Sequence, residues 1–133
     1  MEKEQIVYLQ FLEQEMNNLN QQFQVIEENI SEIQRIKESL KEIERINLEN
    51  KNSDGTKNEI LVDIGKGVYV KVKIIDKNLI VNIGDKKLIK KTIEETKKTL
   101  DKNIKDLVSK RSEIINKIKE LEIQAEKIIK SKN

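Results

Sequence analysis

The side chains in this sequence that could do chemistry are carboxylates, amines, hydroxyls and amides, because it contains neither Cys nor His. Their absence removes thiolate nucleophiles, imidazole bases, disulfides and the usual zinc ligands together. Three groupings of the remaining types merit a chemical reading. Gly65-Lys66-Gly67 has the look of a phosphate-cradling loop. It lacks a third Gly and a following Lys-Ser or Lys-Thr, and an alternating apolar run comes next instead of a helix, so a hairpin turn requiring positive φ explains it better. Asp63, Asp76 and Asp85 have no metal-loop spacing and read as turn and surface residues. Lys86-Lys87, Lys90-Lys91 and Lys97-Lys98 are interleaved with Glu94, Glu95 and Asp101, and aromatics for base stacking are missing. A solvated face is expected there, not a nucleic-acid site. No nucleophile–base pair or ligand cluster exists, so neither catalysis nor a cofactor is expected.

The elements that hold these residues show in the periodicity. Leu9, Leu12, Met16, Leu19, Phe23, Ile26, Ile30 and Ile33 alternate spacings of 3 and 4, the seam of a coiled coil. The seam weakens at Lys37, and Ile36, Leu40, Ile43 and Ile46 continue it with an expected phase slip. Leu100, Ile104, Leu107, Arg111, Ile114, Ile118, Leu121, Ala125 and Ile128 form a second seam, interrupted only by Arg111. Helices so polar need a packed partner, and their matched lengths suggest each other. Antiparallel folding pairs positions whose numbers add to 137: Leu19 with Ile118, Phe23 with Ile114, Ile30 with Leu107. A shift of one heptad would keep most apolar pairs.

Between the seams the period changes to 2. Ile60, Val62 and Ile64 share one face, then Val68, Val70, Val72 and Ile74, then Leu79, Val81 and Ile83. This predicts consecutive hairpins with turns at Gly65-Lys66-Gly67, Asp76-Lys77-Asn78 and Gly84-Asp85, and Lys87 to Lys90 as a short fourth strand. The fold class is mainly α with a small β unit, in one domain. Residues 1–49 are the first coiled-coil helix, 50–58 a polar link, 59–90 the hairpins and 91–133 the second helix. The ten strand residues just named lack a covering layer, because the helices spend their apolar stripes on each other. Sheets from several chains should therefore join.

Charge and composition agree with an elongated, assembling chain. Charged residues make up 38% and aromatics 3% of 133 residues, and there is no Pro to break long helices. Residues 1–50 carry 5 basic and 11 acidic side chains, whereas residues 91–133 carry 12 and 8, so the two ends suit each other as neighbours. No run of 18 or more apolar residues exists, so no membrane span is expected. The polar start Met1-Glu2-Lys3-Glu4 lacks the apolar core of a secretory signal. A cytoplasmic placement is expected, where the sequon Asn29-Ile30-Ser31 has no meaning.

The arrangement of long helix, polar link, hairpins and long helix resembles prefoldin over essentially the whole chain. Ile60-Leu61-Val62-Asp63-Ile64-Gly65-Lys66-Gly67-Val68-Tyr69-Val70 is similar to the first hairpin of the alpha class, and Asn78-Leu79-Ile80-Val81-Asn82-Ile83-Gly84 to the start of its second. The link without Pro and the acid at position 63 depart from the pattern. The resemblance implies an ATP-independent chaperone, cytoplasmic and without cofactor. In that family the hairpins form an oligomeric β-barrel, with alpha and beta subunits in a hexamer, while some alpha-like members assemble with themselves into filaments. Partners would be beta-type subunits or self-copies, unfolded client proteins and a group II chaperonin, with no nucleic acid and no membrane. Both chain ends fall at the far end of the coil, where Ile6, Val7, Phe11, Ile123, Ile128 and Ile129 are candidates for gripping clients. The plainer reading is that these residues lock the coil end. Lys127, Lys130 and Lys132 are candidates for electrostatic docking of a chaperonin.

Overall fold

In a computed structural model, which describes residues 2–46, 48 and 58–131, the order is α1 (Lys3–Arg45), β1 (Glu59–Gly65), β2 (Val68–Lys73), β3 (Leu79–Asn82), β4 (Leu88–Lys91) and α2 (Ile93–Lys130). The polar link at 50–57 lies outside the described residues. α1 ends at Arg45, four residues short of the boundary read from the sequence. Its last turn tightens, with the Ile46 amide donating to the Ile43 carbonyl at 3.1 Å. Lys77, between the two hairpins, donates its ammonium to the Glu44 carbonyl at 2.8 Å, capping a helix end with a cation. α2 starts at Ile93 because Thr92 caps it: the Glu95 amide donates to the Thr92 hydroxyl oxygen at 3.1 Å. Thr92-Ile93-Glu94-Glu95 is a capping-box sequence, and Glu94 and Glu95 also suit the positive end of the helix dipole.

The chain forms two compact units, Met1–Ile33 with Lys102–Asn133, and Gln34–Asp101. In the first, the two helix segments run antiparallel. Leu19, Ile26, Ile30 and Ile114 form a buried cluster, with Phe23, Leu107, Val108, Ile118 and Leu121 packed on it. Arg111 donates to the Glu27 carboxylate at 2.6 Å. Those two positions add to 138, one away from the expected register. A slip of a heptad would carry Arg111 about 10 Å along the axis and out of reach. The partly exposed pair is worth little by itself, ~0.2–1 kcal/mol, but it explains how a seam position tolerates a cation.

In the second unit Leu40 and Ile93 are buried, and Lys37 pairs with Asp101 while Lys97 meets Glu44 at 2.8 Å. The phase slip expected at Lys37 falls later. Leu40 is 5% exposed and Ile36 is 40% exposed, so the strict repeat continues through Lys37 to Leu40. Lys37 keeps its seam position half-buried, with its ammonium paired to Asp101. Only beyond Leu40 does the spacing change, with Ile43 and Ile46 half-buried.

The strands form two separate two-stranded antiparallel sheets, β1 with β2 and β3 with β4. They are near copies of one device, displaced by nineteen residues. In β1–β2, Val62 pairs with Val70 and Asp63 with Tyr69; in β3–β4, Val81 pairs with Ile89 and Asn82 with Leu88. The Asp63 carboxylate accepts from the Gly65 amide at 2.7 Å, and the Asn82 side-chain oxygen accepts from the Gly84 amide at 2.9 Å. Both are Asx turns, which bend the strand into its loop. Positive φ then runs through Gly65, Lys66 and Gly67 in one hairpin and Gly84, Asp85 and Lys86 in the other. Two central residues at positive φ are the sign pattern of a type I′ turn, whose twist matches the flanking strands. Asp63, which departs from the pattern it resembles, thus does a job that only Asp or Asn side chains do well here.

Candidate functional site: an apolar coil end and exposed hairpin faces

Two surfaces stand out because large apolar side chains remain uncovered on them. The first is the end of the coil in the unit containing both chain termini. Ile6, Val7 and Phe11 of α1 and Ile123 and Ile129 of α2 are all exposed. Ile128, expected among them, is half-buried at a seam position and belongs to the coil's own packing. Leu12, 2% exposed, anchors this end from inside. Tyr8 completes the patch: its ring stacks on Phe11 with centroids 6.4 Å apart, and its hydroxyl donates to the Gln124 side-chain oxygen at 3.1 Å. The coil end is therefore closed by a cross-helix hydrogen bond while its outer apolar side chains face solvent. Of the three basic residues proposed for chaperonin docking, Lys127 and Lys130 are exposed on the last turns of α2, and Lys132 lies outside the described residues.

The hairpins are the second surface. Of the ten strand residues picked out by alternation, Ile60, Val72, Ile74, Leu79 and Val81 are half-buried, whereas Val62, Ile64, Val68, Val70 and Ile83 are exposed. Half of the face is thus partly shielded within its own unit, while none of the ten side chains is fully buried. Further apolar side chains are exposed away from that alternation. Leu61, Tyr69, Ile80 and Leu88, on the opposite faces, are each more than half exposed. Assigning one face as apolar and the other as polar obscured them, although the four residue types were visible. A two-stranded hairpin with exposed apolar side chains on both faces is marginal by itself. Full burial of each of these four side chains would contribute about 1.5–3 kcal/mol. That is ample reason for another chain to cover them.

Among the described residues there is no group of three or more acidic, Cys or His side chains placed to hold a metal ion, and no helix long and apolar enough to cross a membrane. The positive φ values of Gly65, Lys66 and Gly67 belong to a strand-to-strand turn, which agrees with the hairpin reading of that motif.

Paired long helices with an apolar end, carrying hairpins whose faces need partners, define a class: an assembling coiled-coil subunit that binds through surfaces. A family model described as Prefoldin subunit matches residues 12–131. The chain belongs to the prefoldin family, a family of chaperone subunits that assemble with one another. It is 30% identical over 102 residues, covering 77% of this chain and 69% of the relative, to prefoldin subunit alpha 1 of Methanocaldococcus jannaschii.

Proposed function

We propose that this chain is an ATP-independent holdase subunit that captures non-native proteins at the coil end and passes them to a group II chaperonin. The observation that carries this reading is the uncovered patch of Ile6, Val7, Tyr8, Phe11, Ile123 and Ile129 beside a closed, well-packed seam. Such a patch binds apolar segments weakly and without sequence preference, which suits a holdase. Assembly through the hairpins would place several coil ends in one particle, each adding avidity. The cytoplasm is the compartment in which such an activity would operate.

The test is a truncation lacking residues 1–8 and 126–133. Assembly, read as particle mass in solution, should be kept, and suppression of client aggregation should fall severalfold. Undiminished suppression by a correctly assembled truncation refutes capture at the coil end.

A second reading, self-assembly into a filament, is favoured by the duplicated hairpin. Two copies of one device on one chain let each chain join two others in open, heterologous fashion. The mass of the purified chain separates the two. Long polymers support the filament, and a small species that grows only when a beta-type subunit is added supports the mixed hexamer.

A further inference from the structure

The seam of α1 in the first unit is accompanied by a second stripe with the same alternation of 3 and 4, one residue out of phase: Tyr8, Phe11, Glu15, Asn18, Gln22, Val25 and Asn29. Tyr8, Phe11 and Val25 are exposed on it. Where this stripe borders α2 it lines a surface groove of about 820 Å³, with Asn18, Gln22, Val25 and Asn29 on one wall and Lys110 and Lys117 on the other. A smaller groove of about 300 Å³ continues it, sharing Asn29 and Leu107. The wall from Asn18 to Asn29 is thus neutral amide with one exposed valine, within a chain that is 38% charged.

We infer that this lateral groove holds the backbone of an extended, non-native polypeptide, continuing the capture that begins at Tyr8 and Phe11. The inference rests on the holdase reading above. Its ground is hydrogen-bond complementarity. An amide side chain offers both donor and acceptor, as a peptide group does, and pairs with it whatever the client's sequence. The spacing fits as well. Asn18 to Asn29 spans about 16.5 Å of helix, which is the length of about five extended residues. A docked helix fits poorly, because it needs an apolar residue at nearly every step of the stripe and finds only Val25 between Phe11 and Asn29. Nucleic acid fits no better. Lys110 and Lys117 are offset by Glu113 on the same wall, and that wall offers no ring for stacking.

The full-length chain should be prepared with a photo-crosslinking side chain in place of Gln22, Val25, Phe11 or, on the opposite flank, Lys119. Reduced and alkylated lactalbumin serves as the unfolded probe. Crosslinks to the probe at positions 22 and 25, absent at 119, are expected. In parallel, the triple variant Asn18→Ala, Gln22→Ala, Asn29→Ala should keep or raise helicity, since alanine is the best helix former. It should weaken probe binding on the order of fivefold to tenfold if two or three hydrogen bonds are lost. Crosslinking at 11 alone overturns the groove and leaves capture at the coil end standing. Crosslinks from 22 or 25 to a second copy of this chain overturn it by assigning the groove to self-association. Unchanged affinity of the triple variant overturns recognition through amides. Silence at every position removes capture at the coil end together with the groove.

Discussion

The two hairpins place different residues at the same point of the same turn, and exchanging them should change stability in opposite directions. Gly67 sits at φ 77°, and Lys86, its counterpart, at φ 60°. Holding a residue with a Cβ in the left-handed region costs roughly 1–2 kcal/mol. Replacing glycine also restricts the unfolded chain, which returns about 0.4–1 kcal/mol. A Cβ built on Gly67 meets no atom within 4 Å, so no clash adds to this balance. Gly67→Lys should therefore destabilise the first hairpin by ~0.5–1.5 kcal/mol, and Lys86→Gly should stabilise the second by a similar amount. The assay is amide hydrogen exchange in the assembled protein. Protection should fall about two- to tenfold in β1 and β2 for the first variant. For the second variant it should rise by a similar factor at the Ile83 and Lys87 amides, which donate to the carbonyls of Lys87 and Gly84 respectively. Changes of the same sign in both hairpins, or no change in either, refute the claim that backbone strain at this position sets hairpin stability.

Three further outcomes follow from the coil and its caps. Arg111→Leu fills a seam position with an apolar side chain and loses only the partly exposed pair with Glu27. Thermal unfolding followed by circular dichroism should show stabilisation of about 0.5–1.5 kcal/mol, and a lowered midpoint contradicts the seam assignment. Thr92→Ala removes the cap of α2 and should cost about 1 kcal/mol, whereas Thr92→Ser, keeping the hydroxyl, should cost a small fraction of that in the same melt. Lys37→Ala should destabilise more than Asp101→Ala in urea titrations, because it removes a half-buried aliphatic side chain as well as charge.

Seams and strands were legible because they depend on apolar spacing alone. Leu9 to Ile33 and Leu100 to Ile128 announce their helices, and the alternating runs around Gly65-Lys66-Gly67 announce a hairpin. What escaped depends on a partner distant in sequence. Lys37 reads as a break in the repeat until Asp101 is seen beside it, and Arg111 until Glu27 is. The Asx turn at Asp63 required knowing that position 65 donates back to it. Two further features are legible in the sequence itself: Thr92-Ile93-Glu94-Glu95 is a capping sequence as it stands, and Ile60 to Gly65 lines up with Leu79 to Gly84 residue for residue. The exposure of Leu61, Tyr69, Ile80 and Leu88 is masked by the rule that one face of a strand is polar. That rule fails for strands whose both faces await a partner. Of the coil end, the residues were legible and the closure by Tyr8 and Gln124 was not.

The duplicated hairpin also bears on kinetics. Only Ile74 to Asn78 separate β2 from β3. Once one hairpin has docked on a partner, the other is held near that partner at an effective concentration on the order of millimolar. Release then requires both contacts to be open at once, and a lapse in one is repaired before the other lets go. Two individually weak strand pairings can in this way give a long-lived joint, while each remains weak enough to correct a wrong partner during assembly.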